Sequence, residues 1–128
     1  MYLTILHSKI HRAQVTSADR DYEGSISIDL DLMKAAKLIH HQHVHVWNVN
    51  NGSRFETYAI PAPAGSGVIQ VNGAAAHLVT RGDLVIISSF CHMSPAEAKK
   101  HRPWIVLVGD KNRIKKIARV SGDPIPIK

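Results

Sequence analysis

Apolar residues recur at every second position through several short stretches of this chain, a period that predicts strands rather than helices. Tyr2 to Val15 reads as a long first strand, with Lys9 and His11 on one face by their two-residue spacing. Ser25 to Ile28 reads as a short strand. Asp31 to Leu38 reads as a helix that Asp29 or Asp31 can cap, with Leu32, Ala35, Ala36 and Leu38 on its apolar side. His43 to Val49 and Arg54 to Ile60 form a hairpin through Asn50-Asn51-Gly52, because Asn-Gly accepts the positive φ that the favoured tight turn needs. After the loop Pro61 to Gly67, Val68 to Val71 makes a strand and Asn72-Gly73 leads into a short helical turn at Ala74-Ala75-Ala76. Leu84 to Phe90 is a buried strand following the turn Arg81-Gly82-Asp83. Ser94-Pro95-Ala96-Glu97 has the cap, the first-turn proline and the glutamate of a capping box, and Trp104 to Val108 is the last strand. Many short strands with one or two small helices predict a mainly β fold, closed into a barrel.

The chain has 128 residues, 45% of them hydrophobic, which suits a single domain. Cys91 is the only cysteine, so no intrachain disulfide can form. No apolar run approaches the ~18 residues of a membrane span, and the first residues lack the pattern of a secretory signal. The expectation is a cytoplasmic protein without membrane partners. The net charge of +6 is unevenly placed: residues 99–128 carry nine of the sixteen basic residues and only Asp110 and Asp123. The densest part runs from Lys111 to Arg119, and residues 110–128 read as a solvated helix face or a flexible tail. Nucleic-acid binding is not expected, since the segment has neither aromatic interleaving nor a base-reading motif.

The chemistry centres on Gly24-Ser25. A serine hydroxyl lies beside the carbonyl of its own preceding peptide bond and can attack it, turning the amide into an ester. Elimination across that ester would release residues 1–24 and leave a dehydroalanine, which hydrolyses to a pyruvoyl group at position 25. The chain would then carry its own ketone for Schiff-base chemistry. Glycine suits the position before the serine because it lacks a Cβ and tolerates unusual backbone geometry. On the hairpin's second strand, alternation puts Arg54, Glu56 and Tyr58 on one face and Phe55 and Thr57 on the other. An arginine fork suits a carboxylate, and a tyrosine with its ordinary pKa near ~10 is a ready general acid. His41, His43 and His45 also fall on one strand face, where three imidazoles could hold zinc or nickel. No matched further ligand stands nearby in sequence, so they read as a solvent-facing polar face and no metal is assigned.

Ser8-Lys9-Ile10-His11-Arg12, Thr16, Ala18-Asp19, Tyr22-Glu23-Gly24-Ser25, Trp47-Asn48-Val49, Asn51-Gly52, Arg54, Thr57-Tyr58-Ala59-Ile60 and Asn72-Gly73-Ala74-Ala75-Ala76-His77 together resemble the pyruvoyl-dependent aspartate 1-decarboxylase family. The resemblance covers about residues 1–95. It implies a double-psi β-barrel, a homotetramer with active sites between subunits, and production of β-alanine from L-aspartate for pantothenate and coenzyme A synthesis. It also implies a cut at Gly24-Ser25 into residues 1–24 and 25–128, and a covalent pyruvoyl cofactor from Ser25 with neither PLP nor metal. By the same resemblance Arg54 holds a substrate carboxylate, Lys9 contacts a carboxylate or positions the chain before the cut, and Tyr58 returns a proton to the α-carbon. Thr57 bonds the carbonyl near Gly24 or the pyruvoyl group. Asn72 and the amides following Gly73, at Ala74 and Ala75, offer donors to an anion, and Tyr22 and His11 stand behind them. Thr57 on the strand face opposite Arg54 and Tyr58 conflicts with a shared role, unless a bulge or a site shared between subunits brings them together. A maturation helper protein is a further partner to consider. The competing readings are a pyruvoyl decarboxylase of another amino acid, a non-catalytic basic barrel that binds nucleic acid, and a histidine-rich metal carrier.

Overall fold

The computed structural model describes residues 1–119. Nine strands follow in chain order: β1 (Leu3–Gln14), β2 (Ser17–Asp19), β3 (Ser25–Asp29), β4 (His43–Asn48), β5 (Arg54–Ala62), β6 (Ile69–Asn72), β7 (Leu84–Met93), β8 (Trp104–Val108) and β9 (Ile114–Arg119). Helix α1 (Leu30–Ala35) follows β3, and helix α2 (Pro95–Lys100) follows β7. A 3₁₀ turn spans Gly73–Leu78. Neither helix is long and apolar enough to cross a membrane.

The strands form one mixed sheet in the order β2-β6-β3-β5-β4-β7-β1-β8-β9, with β2 and β9 as its edges. The fold is therefore mainly β, as expected, but the ladder itself is open rather than closed by a pairing of its two ends. Ile10, Ile26, Ile28, Val44, Val46, Ala59, Ile69, Val71, Ile87 and Val106 belong to one buried cluster with Leu32 and Met33 of α1. Strands as distant in the ladder as β6 and β8 thus contribute to the same core, so the sheet curls around it. Each of these large side chains contributes roughly 1.5–3 kcal/mol by leaving water.

Local chemistry explains the element ends. The Asp29 carboxylate accepts the Asp31 N–H at 2.8 Å and so caps α1; it also accepts Gly65 N–H at 3.0 Å and Gly67 N–H at 2.8 Å. One buried side chain thereby holds both the helix start and the loop that leads into β6. The hairpin turn closes with Gly52 at φ +76°. The capping box forms at α2, where Ser94 Oγ accepts the Glu97 N–H and Glu97 accepts the Ser94 N–H.

The C-terminal basic segment differs from expectation. Up to Arg119 it is neither helix face nor loose tail: Asp110–Asn112 make a short 3₁₀ turn and Ile114–Arg119 pair antiparallel with β8. Ile114 and Ile117 are three residues apart and both exposed, so the two-residue period of a half-buried strand is missing here. Lysines at 115 and 116 suit a sheet edge, where charge discourages pairing with another chain. The remainder of the expected tail, residues 120–128, lies outside the described residues.

Candidate active site

Ser25 begins β3 and is fully buried, and the antiparallel register sets Asn72, the last residue of β6, directly opposite it. Asn72 Nδ2 donates to Ser25 Oγ at 2.9 Å and to Ser27 Oγ at 3.2 Å. The Ser25 hydroxyl donates to the Glu23 carbonyl at 3.2 Å. Behind Asn72 the network continues: Gln70 Nε2 donates to Asn72 Oδ1 at 2.7 Å, and Ser17 Oγ donates to Gln70 Oε1 at 2.8 Å. The amide of Asn72 is thus oriented by Gln70 and holds the rotamer of the Ser25 hydroxyl. An N–H aimed at that oxygen also stabilises negative charge developing on it.

Gly73 faces the Tyr22–Gly24 segment at close range. Its φ is +75°, and a Cβ there would stand 2.6 Å from Gly24 Cα, 2.8 Å from Gly24 N and 3.2 Å from Tyr22 O. Only glycine lets the two backbones approach this closely. Gly24 itself sits in open space, with nothing within 4 Å of where its Cβ would be and no positive φ. The steric demand expected at Gly24 therefore falls on Gly73 instead. The 3₁₀ turn that follows presents its first amides, at Ala74 and Ala75, with no side chain capping them. Tyr22 is 55% exposed beside this segment.

Arg54, Glu56 and Tyr58 do share one face of β5, the face turned away from the core. Their partners on β4 are Trp47, His45 and His43. No bulge interrupts either ladder of β5, so Thr57, paired with the fully buried Val44, remains on the core side. Of the two ways to unite Thr57 with Arg54 and Tyr58, the bulge is absent from the described chain. Ser25 and Tyr58 immediately precede the paired residues Ile26 and Ala59, which brings their backbones side by side. Arg54 lies four residues further along β5, roughly 13 Å at strand rise, with its guanidinium 4.9 Å from the centre of the Trp47 ring. Lys9 is on β1, four ladder steps from β3, or about 19 Å along the sheet. It joins the outward row Glu56–His45–Ser88–Lys9 across β5, β4, β7 and β1. In that row the Ser88 hydroxyl is buried without a partner among the described residues. His11 lies within the β1–β7 register shift between Ile10 and Ala13; burial, then the charges of Lys9 and Arg12, hold its pKa below 6.5.

The sequence pattern that defines the aspartate decarboxylase family matches residues 1–115. The chain belongs to this family. Aspartate 1-decarboxylase of Caulobacter vibrioides is 54% identical over 118 residues, covering 92% of this chain and all of the relative. Aspartate 1-decarboxylase of Corynebacterium efficiens is 54% identical over 126 residues, 98% of this chain and 93% of its own length. That of Legionella pneumophila is 55% identical over 116 residues, 91% of this chain and 87% of its own. Family membership over this length does not favour the nucleic-acid-binding barrel.

Against this family background, the structure brings together Tyr22, Gly24, Ser25, Asn72 and Gly73, and sets Arg54 and Lys9 apart from them within one chain. Sequence reasoning missed Gln70, Ser17 and Ser27, which orient Asn72 or share its amide. The alternation Ser25-Ile26-Ser27-Ile28 was a usable signal for Ser27, since both serines must share the face away from the core. Nothing in the sequence alone linked Gln70 or Ser17 to position 25. The histidine reading also changes. His41 precedes β4 with φ 73°, stacks on His40 at 3.8 Å and lies 5.8 Å from the Tyr58 ring between ring centres, outside the cluster that His43 and His45 make with Glu56.

Proposed function

We propose that this chain decarboxylates L-aspartate to β-alanine and carbon dioxide, for pantothenate and coenzyme A synthesis, after cutting itself at Gly24-Ser25. The observation that carries the reading is the buried Ser25 hydroxyl, held by Asn72 and aimed along its own backbone, in a chain of the aspartate decarboxylase family. The cut would divide one domain into residues 1–24 and 25–128.

The residues around position 25 fit a pyruvoyl group made in place: the hydroxyl is next to the carbonyl it must attack, and Gly73 leaves room for that backbone. Once formed, the group would supply a ketone for Schiff-base chemistry with the substrate amine and an electron sink for decarboxylation. Asn72, with the amides of Ala74 and Ala75, would donate to oxygens of the bound substrate. Tyr58 would give its phenolic proton to the α-carbon. Thr57 would bond the carbonyl beside the cut, with Tyr22 and His11 as supports. Arg54 and Lys9 would meet the charges of the dianionic substrate, which rewards two cations.

The spacing of these groups supports an assembly. Along the sheet Arg54 lies roughly 13 Å and Lys9 about 19 Å from the position of Ser25, and both sit on the outward face. A neighbouring subunit could supply them, in line with what the family resemblance implies: a homotetramer with sites between subunits, each subunit a double-psi β-barrel. A maturation helper protein belongs to the same proposal where the cut is not autonomous. A cytoplasmic enzyme without membrane or nucleic-acid partners completes the reading.

Ser25→Ala tests it directly. The variant lacks the attacking oxygen and should persist as one full-length chain, by intact mass, with no release of carbon dioxide from aspartate. Decarboxylation by an uncut alanine variant overturns the proposal.

A further inference from the structure

Beyond the scissile segment, metal-binding side chains converge on the outward face of the β4–β5 hairpin. His43 and His45 are two residues apart on β4, and the register places Glu56 of β5 opposite His45. Glu56 Oε1 lies 2.8 Å from His43 Nε2 and 3.4 Å from His45 Nε2. One ligand atom from each of the three lies within 4.8 Å of the others. Nitrogen and oxygen donors at ~2.0–2.1 Å from a tetrahedral ion stand about 3.3 Å apart, so these side chains need move by only about 1 Å or so to share one. The His45 ring is already steadied by Phe90, edge to face at 5.1 Å between centres. Side-chain exposures of 64% for His43, 60% for Glu56 and 33% for His45 leave the cluster open to an ion in this chain.

A cation can be shared by all three groups where one proton cannot: the His43 Nε2–Glu56 Oε1 contact is a hydrogen bond, whereas His45 Nε2, 3.4 Å from the same oxygen, makes none to it. An ion instead receives a lone pair from all three groups at once, with the ring protons on Nδ1. Two imidazoles and one carboxylate match the donor preference of zinc and neighbouring first-row ions, and three protein ligands leave a fourth position open. We propose that His43, His45 and Glu56 form a binding site for a divalent first-row cation of the zinc class, on the same outward face of β4 and β5 as Arg54 and Tyr58. The pairing of β4 with β5 supplies the third ligand that the histidine run alone lacks.

The test uses the untagged, matured, assembled protein, stripped with chelator and titrated with zinc chloride by calorimetry, with cobalt(II) as a visible-absorbance probe. The expected result is one ion per chain, with cobalt bands that zinc displaces. Glu56→Gln and His45→Ala should each weaken binding by about tenfold or more, and His77→Ala, an exposed histidine elsewhere, should not change it. No saturable site, a stoichiometry that tracks total histidine, or equal binding by Glu56→Gln overturns the proposal. Should His45→Ala fail to fold, Glu56→Gln at its exposed position decides the question.

Discussion

Replacing Gly73 by alanine separates the attack geometry at Gly24-Ser25 from ordinary stability. The new Cβ would stand 2.6 Å from Gly24 Cα, where ordinary contact begins at 3.4 Å, so the scissile backbone must recede by about 0.8 Å. A displacement near 1 Å can cost roughly 100-fold in a reaction that depends on held geometry. Alanine at φ +75° adds its own strain of ~1–2 kcal/mol, which lowers the melting temperature by a few degrees, about 3–8 °C. Gly52→Ala isolates the second effect, because Gly52 has φ +76° and its Cβ would meet nothing within 4 Å. Both variants should melt earlier, Gly73→Ala by more because it also carries the close contact. Only Gly73→Ala should slow the cut, by on the order of 100-fold. Freshly synthesised precursor, sampled over time on denaturing gels with intact masses, measures the rate. Cleavage of Gly73→Ala at the unmodified rate refutes the argument, as does an equal slowing in Gly52→Ala.

Tyr58→Phe should still be cut, since Tyr58 has no part in the attack by Ser25, but turnover of aspartate should fall by ~10²–10⁴; unchanged turnover would assign the proton to another group. His7 gives a pH dependence. Burial, then the charges of His101 and Arg119, hold its pKa below 6.5. In the window between 6.5 and that lowered value the unfolded chain binds a proton that the folded chain refuses, so stability falls as pH drops through it. His7→Gln should therefore lose less melting temperature than the unmodified protein between about pH 7 and pH 5, and an identical loss in differential scanning fluorimetry would show that His7 is not responsible.

Much of the architecture was legible where local chemistry decides it. The Asn51-Gly52 turn, the Ser94 capping box, the Asp29 cap and the strand at Trp104–Val108 each follow from a residue type acting on its immediate neighbours. Strand β9 was not, because an edge strand rich in lysine and arginine has no buried face to impose alternation. The site divides in the same way. Ser25 announces itself by the bond before it. The hydrogen bond from Asn72 spans 47 residues and exists only because β3 pairs with β6 in one register. Glu56 completes the histidine pair for a similar reason, 13 residues from His43 but directly beside it across the hairpin.

Strand β1 lies inside the sheet, flanked by β7 on one side and β8 on the other, while β2 runs beside β6. Both belong to residues 1–24, so under the proposed cut at Gly24-Ser25 the smaller fragment would supply an inner stave and could not drift away without dismantling its neighbours. The proposed maturation would turn a single polypeptide into a non-covalent pair of fragments. Once melted, the precursor would refold by itself at any dilution, whereas the severed form would have to find its missing piece again.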